Sequence, residues 1–183
     1  MSEVPEGVDL SGFIRKPPRP TATMTLTRDG PNGSEVLLGL RSETMAAFPG
    51  YWAFTGGGVS KVDAAAVDSF SVLDIQHGKA IACILRETCE ELGIAPNGDH
   101  VISIDEFARF DVIKDKANWL SHAEDCNIPV NTDNINILGH RVTPPFGPVQ
   151  FDNAFIHFHC GDWQSVPEID LEPQTEFDEI MWA

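Results

Sequence analysis

The chain has 183 residues and carries 28 acidic against 12 basic side chains, a net charge of −16. A field of that sign repels phosphate backbones, which excludes a bulk DNA or RNA binder. With 42% hydrophobic and 22% charged residues the composition is that of one globular domain with a single core, and no run approaches the ~20 apolar residues of a membrane span.

Met1 to Pro20 is acidic and then proline-rich, ending Lys16-Pro17-Pro18-Arg19-Pro20, and reads as an extended arm without the basic and apolar regions of a signal peptide. From Thr21 to Thr27 threonine alternates with Ala, Met and Leu, a strand pattern. Asp29-Gly30-Pro31-Asn32-Gly33 is turn chemistry, and Glu35 to Leu40 is the returning strand. Trp52 to Phe54 forms a short strand leading into Gly56, Gly57 and Gly58, where backbone can approach a helix or a phosphate without a Cβ in the way. Ala64 to Leu73 reads as a short helix, with Asp63 either capping it or offering an acid to the site. Gly78 to Leu92 is a longer helix and Gly93 stops it. Val101 to Phe107 reads as a strand and Asp115 to Cys126 as helical. Ile135 to Val142, Ala154 to Cys160 and Glu179 to Trp182 complete a sheet. Strands interleaved with helices define an α/β protein, an α/β/α sandwich on a mixed β-sheet, in one domain from residue 21 to 183. Cysteines at 83, 89, 126 and 160 form no C-x-x-C pair and no disulfide-like ladder, which points to a reducing cytoplasm.

The chemistry sits on the longer helix. Glu87, Glu90 and Glu91, at i, i+3 and i+4, bring three carboxylates to one face. Such a cluster repels itself unless a cation lies within it, and a hard divalent ion with oxygen ligands, Mg²⁺ first and Mn²⁺ second, is the natural occupant. Ile81, Leu85, Thr88 and Leu92 form the stripe suited to the core. His157 and His159 alternate on one strand face in a geometry zinc uses, with no third ligand evident.

The run Arg86-Glu87-Thr88-Cys89-Glu90-Glu91-Leu92-Gly93-Ile94 resembles the second half of the Nudix box. That box is the signature of metal-dependent hydrolases of nucleoside diphosphates linked to another group. Its first half is matched by Gly56-Gly57, five residues, and Asp63, where glutamate is usual. Ala64 to Leu85 then fills the place of seven residues, an insertion of 15. Upstream, Leu37-Leu38-Gly39-Leu40-Arg41-Ser42 with Met45, Gly50, Phe54 and Gly56-Gly57 resembles the additional motif of the coenzyme A diphosphatase branch, with Thr55 standing where proline is usual. Arg141-Val142-Thr143-Pro144 and Phe151 to Phe155 resemble the peroxisomal type of that branch.

The resemblance implies a Nudix fold and hydrolysis of coenzyme A or an acyl derivative at its diphosphate. It casts Glu87, Glu90 and Arg86 as catalytic, with Arg86 holding a glutamate in ligand geometry, and Glu87, Glu90 and Glu91 as metal ligands. Arg41, Gly56, Gly57 and Gly58 fall to the substrate, and Asp63 and Glu176 are further candidate acids. An ADP-ribose or NADH pyrophosphatase, or a non-catalytic ligand-binding module, are the alternatives. The partner implied is a small nucleotide, not a nucleic acid or a membrane. The family's last strand is usually followed by a helix, whereas this sequence stops at Ala183; either the chain is one piece of a longer protein or a neighbouring subunit covers the exposed face, and self-association as a homodimer is the corresponding expectation.

Overall fold

Alternation of threonine with Ala22, Met24 and Leu26 builds the central strand, β1 (Arg19–Gly30), whose apolar side chains are buried while its threonines face the other way. The computed structural model describes residues 6–7, 17–67, 75–125, 127–128, 132–144, 149–172 and 176–183. β1 runs parallel to β8 (Phe151–Asp162) on one edge. Its other edge is shared antiparallel: Thr27 to Gly30 pairs with β2 (Gly33–Arg41), and Thr21 to Met24 pairs with β4 (Thr55–Gly58). β7 (Asn136–Val142) joins β8, while β3 (Trp52–Ala53) and β9 (Phe177–Trp182) join β2, giving a seven-stranded mixed sheet. A separate hairpin pairs β5 (Ile94–Asn97) with β6 (His100–Ser103).

The helices are α1 (Lys61–Ala66), α2 (Ile75–Leu92), α3 (Glu106–Lys114) and α4 (Trp119–Asp125), with a 3-10 turn at Lys116–Asn118. α2 lies on the Ala22 face of the sheet. The stripe Ile81, Leu85, Thr88 and Leu92 is buried as expected, yet so is every residue from Ala80 to Leu92. α1 flanks the helix on one side and α3 covers it on another, so the carboxylate face is inside the protein too. Gly93, at φ +62°, ends the helix in the left-handed conformation that favours glycine.

Several boundaries differ from expectation. β1 begins at Arg19, inside the expected arm, whose other residues except 6–7 and 17–18 lie outside the described ones. The first helix starts at Lys61 rather than Ala64, and positions 68–73 of the expected span fall outside the described residues. The expected strand to Phe107 ends at Ser103, where Asp105 opens α3 and its Oδ1 accepts the Ala108 N–H at 3.4 Å, a capping signal the sequence did carry. Among the described residues no helix is long and apolar enough to cross a membrane.

α3 also supplies the tie that fixes the end of α2. Arg109, 2% exposed, donates from Nη2 to the carbonyls of Glu90 and Glu91 at 3.0 Å each and from Nε to Glu90 O at 3.2 Å. Its Nη1 donates to Asp170 O at 2.7 Å and to Glu172 O. A positive charge thus meets the negative end of the helix dipole and satisfies carbonyls that have no partner within the helix. Arg109→Met leaves these carbonyls buried and unpaired, so it should cost about 2–4 kcal/mol. An unchanged urea midpoint would show that the carbonyls are satisfied some other way.

Candidate active site

The register of β4 against β1 sets the site. Ala22 faces Gly57 and Thr23 faces Gly56, which delivers the glycines to the flank of α2. A Cβ on Gly57 would lie 2.1 Å from Glu87 Oε1, and one on Gly56 would lie 2.3 Å from Ala22 O. Glycine is therefore required at 56, against backbone, whereas a side chain at 57 would displace the Glu87 carboxylate. Gly58 carries no such demand, since nothing lies within 4 Å of its Cβ direction. Glu91 Oε2 accepts the Gly56 N–H at 3.2 Å, so two glutamates of the helix sit against the loop.

Behind them Arg86, 3% exposed, binds three acids at once. Its Nε and Nη2 grip Asp63 as a fork, at 2.8 Å to Oδ1 and 3.1 Å to Oδ2. Its Nη1 lies 3.0 Å from Glu87 Oε1 and 3.1 Å from Glu90 Oε1. Asp63 is 0% exposed, and its Oδ2 also accepts the backbone N–H and the hydroxyl of Ser60, both at 2.8 Å. Ser60 is the N-cap of α1 and Asp63 its third residue, reaching back as in a capping box. The capping expectation is corrected, since Asp63 is the third residue of α1 and not its N-cap; its oxygens are engaged by Arg86 and Ser60.

The three helix glutamates share a face but divide their partners. Glu90, its other oxygen turned outward, meets the ammonium of Lys116 on the 3-10 turn. Glu87 adjoins Gly57, and burial followed by repulsion from Glu90 pushes its carboxyl up to about 7, against the attraction of Arg86 and Lys116. Glu91 is raised well above the usual carboxylate range, first by burial and then by Glu87 and Glu176. Its Oε1 is buried and has no hydrogen-bond partner among the described residues.

Arg41 and Glu176 reach the same place from the sheet edge. Ser42 N–H donates to Glu176 O at 2.9 Å, which joins the end of β2 to the start of β9, and Arg41 Nε donates to Ala47 O at 2.9 Å within the loop after β2. Both side chains act on the charge of Glu91, Arg41 lowering and Glu176 raising its pKa. Arg141 is elsewhere, lining a pocket with Leu138, His140 and Phe155. His157 and His159 share a hydroxyl, with Thr27 Oγ1 at 2.8 Å from one ring and 3.2 Å from the other. Cys83, Cys89 and Cys160 are buried. Sequence reasoning missed Arg109 and Lys116, which lie outside any motif.

Among the described residues no three His, Cys, Asp or Glu side chains are grouped to hold a metal ion as they stand; the outer oxygen of Glu90 has an ammonium instead. The chemistry of the donors nonetheless fits a hard divalent cation. They are all carboxylate oxygens, one is buried with no hydrogen-bond partner among the described residues, and two carboxyls are raised by burial and by a neighbouring glutamate.

No family model and no curated protein matches the sequence. Solved structures do. The NUDIX hydrolase from Alicyclobacillus acidocaldarius is similar with a TM-score of 0.77 and 27% identity, covering 93% of this chain and 80% of that one. The NUDIX domain of Shewanella oneidensis NrtR, complexed with ADP ribose, has a TM-score of 0.51 and 12% identity over 96% and 77% of the two chains. The MutT NUDIX hydrolase from Burkholderia pseudomallei has a TM-score of 0.50 and 16% identity over 91% and 83%. The chain has the Nudix hydrolase fold, an α/β architecture on a mixed sheet.

Two outcomes follow from the buried charges. Asp63→Ala strips a buried guanidinium of its fork partner and should cost about 3–5 kcal/mol; a urea midpoint within error of wild type would refute the pairing. The second concerns pH. Glu87 holds its proton more tightly folded than unfolded, its ordinary value being 4.5. Its contribution is therefore full below about 4.5 and is lost as pH rises through about 7. In metal-free buffer the wild type should lose stability between pH 5 and 8 by roughly 2–3 kcal/mol more than Glu87→Gln. Parallel pH profiles of the two proteins would rule this out.

Proposed function

We propose that the chain is a metal-dependent Nudix hydrolase that cleaves the P–O–P bond of a nucleoside diphosphate derivative in the cytoplasm, with coenzyme A or an acyl-CoA as the leading substrate. The observation that carries this reading is the seating of Glu87 and Glu91 against Gly56-Gly57, braced from behind by Arg86. The 27% identity with a protein that is itself a NUDIX hydrolase supports the reaction class.

Glu87, Glu90 and Glu91 are the residues that would hold Mg²⁺ or Mn²⁺, with Glu176 as the further acid. When bound, a divalent ion neutralises phosphate oxygens and lowers the pKa of a water. The remaining work falls to the chain itself. Arg86 keeps three acids in place without facing substrate. Gly56 and Gly57 admit a phosphate close to backbone. One of the glutamates not engaged by the ion, or a loop acid, would take the proton of the attacking water. Arg41 of the Leu37-to-Ser42 segment, within electrostatic reach of Glu91, supports the coenzyme A reading. In a protein of charge −16, placed guanidinium groups are what an anionic substrate requires.

The test is incubation with Mg²⁺ and a panel of coenzyme A, ADP-ribose, NADH and oxidised dGTP, with the products resolved. Adenosine 3′,5′-bisphosphate should appear from coenzyme A. Cleavage of ADP-ribose or NADH alone would move the assignment to that pyrophosphatase class, and binding without turnover of any compound would mark a ligand-binding module. Glu90→Gln should keep the fold and lose more than about tenfold in rate, a barrier increase above ~1.4 kcal/mol; a smaller loss would remove Glu90 from the metal set.

A further inference from the structure

Among the described residues, Glu90 is the member of the acid cluster that pairs with an exposed cation. Its side chain is 6% exposed and Arg86 takes Oε1, which leaves Oε2 to the ammonium of Lys116, whose side chain is 52% exposed. The two cations differ in kind. Arg86 is locked by the Asp63 fork and cannot leave without stranding a buried charge. Lys116 sits on the exposed turn Lys116–Asn118, and a flexible four-carbon stem carries its charge to Glu90. Withdrawing that ammonium takes it into water and strands only the carboxylate. Its charge also reaches Glu87, whose carboxyl it lowers.

We infer that Lys116 is a built-in counter-cation, occupying the outer oxygen of Glu90 in the metal-free protein and swinging out when a divalent ion takes that oxygen. The inference rests on the metal-dependent reading above. Lysine pairing and metal ligation compete for one oxygen atom, so Lys116 stabilises the empty site and weakens metal binding. It also couples the site to the turn between α3 and α4, because the turn loses its tether to α2 when the ion arrives. A divalent ion prevails because it brings two charges to a site where one arrives on a stem that water solvates well.

The experiment is calorimetric titration of Mn²⁺ into wild type, Lys116→Gln and Lys114→Gln, with thermal unfolding of each in EDTA. Lys114→Gln removes the same charge from an exposed neighbour that lies over the Phe110 ring, away from Glu90. Lys116→Gln should bind Mn²⁺ at least about fivefold more tightly and melt lower in EDTA, while Lys114→Gln shifts affinity by less than about twofold. Equal affinities for wild type and Lys116→Gln overturn the inference and leave the metal site standing. Equal tightening by both variants also overturns it, showing a general field rather than displacement. If no variant binds Mn²⁺, the metal-dependent reading itself fails, and the displacement with it.

Discussion

Four carboxylates lie in a volume from which water is nearly excluded, and the packing of the site depends on neutralising them. Asp63, Glu87, Glu90 and Glu91 are all buried, and the one buried guanidinium among them binds the first three. An unpaired carboxylate in such a place would cost several kcal/mol, which forces either a partner or a proton. Both solutions are present: Asp63, Glu87 and Glu90 have cations, and Glu87 and Glu91 are also shifted towards holding a proton. The surrounding architecture keeps this arrangement from relaxing. The glycine loop closes one side by backbone contact, and Arg109 fixes the last turn of α2 through its carbonyls.

The pairing of Asp63 with Arg86 also explains how the motif tolerates its insertion. The two residues are 23 positions apart, yet they meet as a bidentate pair in the interior. Geometry at the ends of a segment is set by what the ends bind, and lengthening the segment adds only a slowly growing closure entropy. The two halves of the box are held together here by a fork of hydrogen bonds rather than by a short connection.

Much of the fold could be read from local pattern. The alternation from Thr21 to Thr27 gave a strand because one face is apolar at every second residue, and Gly93 ended its helix because the chain needs a positive φ there. The spacing of Glu87, Glu90 and Glu91 placed them on one face of α2. What pattern could not reveal is the second neighbour of that face. α3 arises from Glu106–Lys114, where charged and apolar residues do not separate into a clear stripe, so nothing signalled that it would bury the acids. Asp63 was ambiguous for a related reason. A carboxylate at a helix start has a local use, and its long-range partner leaves no mark in nearby residues. Arg109 and Lys116 are single cations whose partners are carbonyls and an acid on another element, a relation no periodicity encodes.

The parallel pairing of β1 with β8 has a consequence for how the molecule is made. Thr21 and Asn153, which bond across the middle of the sheet, are 132 residues apart, and a contact that distant closes a large loop before it gains any stabilisation. On a ribosome the first strand emerges long before its central neighbour exists. Its Ala22, Met24 and Leu26 can meet β2, β4 and α2 in the meantime, but the parallel edge of β1 stays open, with its backbone groups unpaired, until residues 151–162 appear. For most of its synthesis the chain therefore carries an exposed strand edge at what will become the middle of its sheet. That is the interval in which wrong pairing, with another copy or with a chaperone's substrate groove, competes with folding.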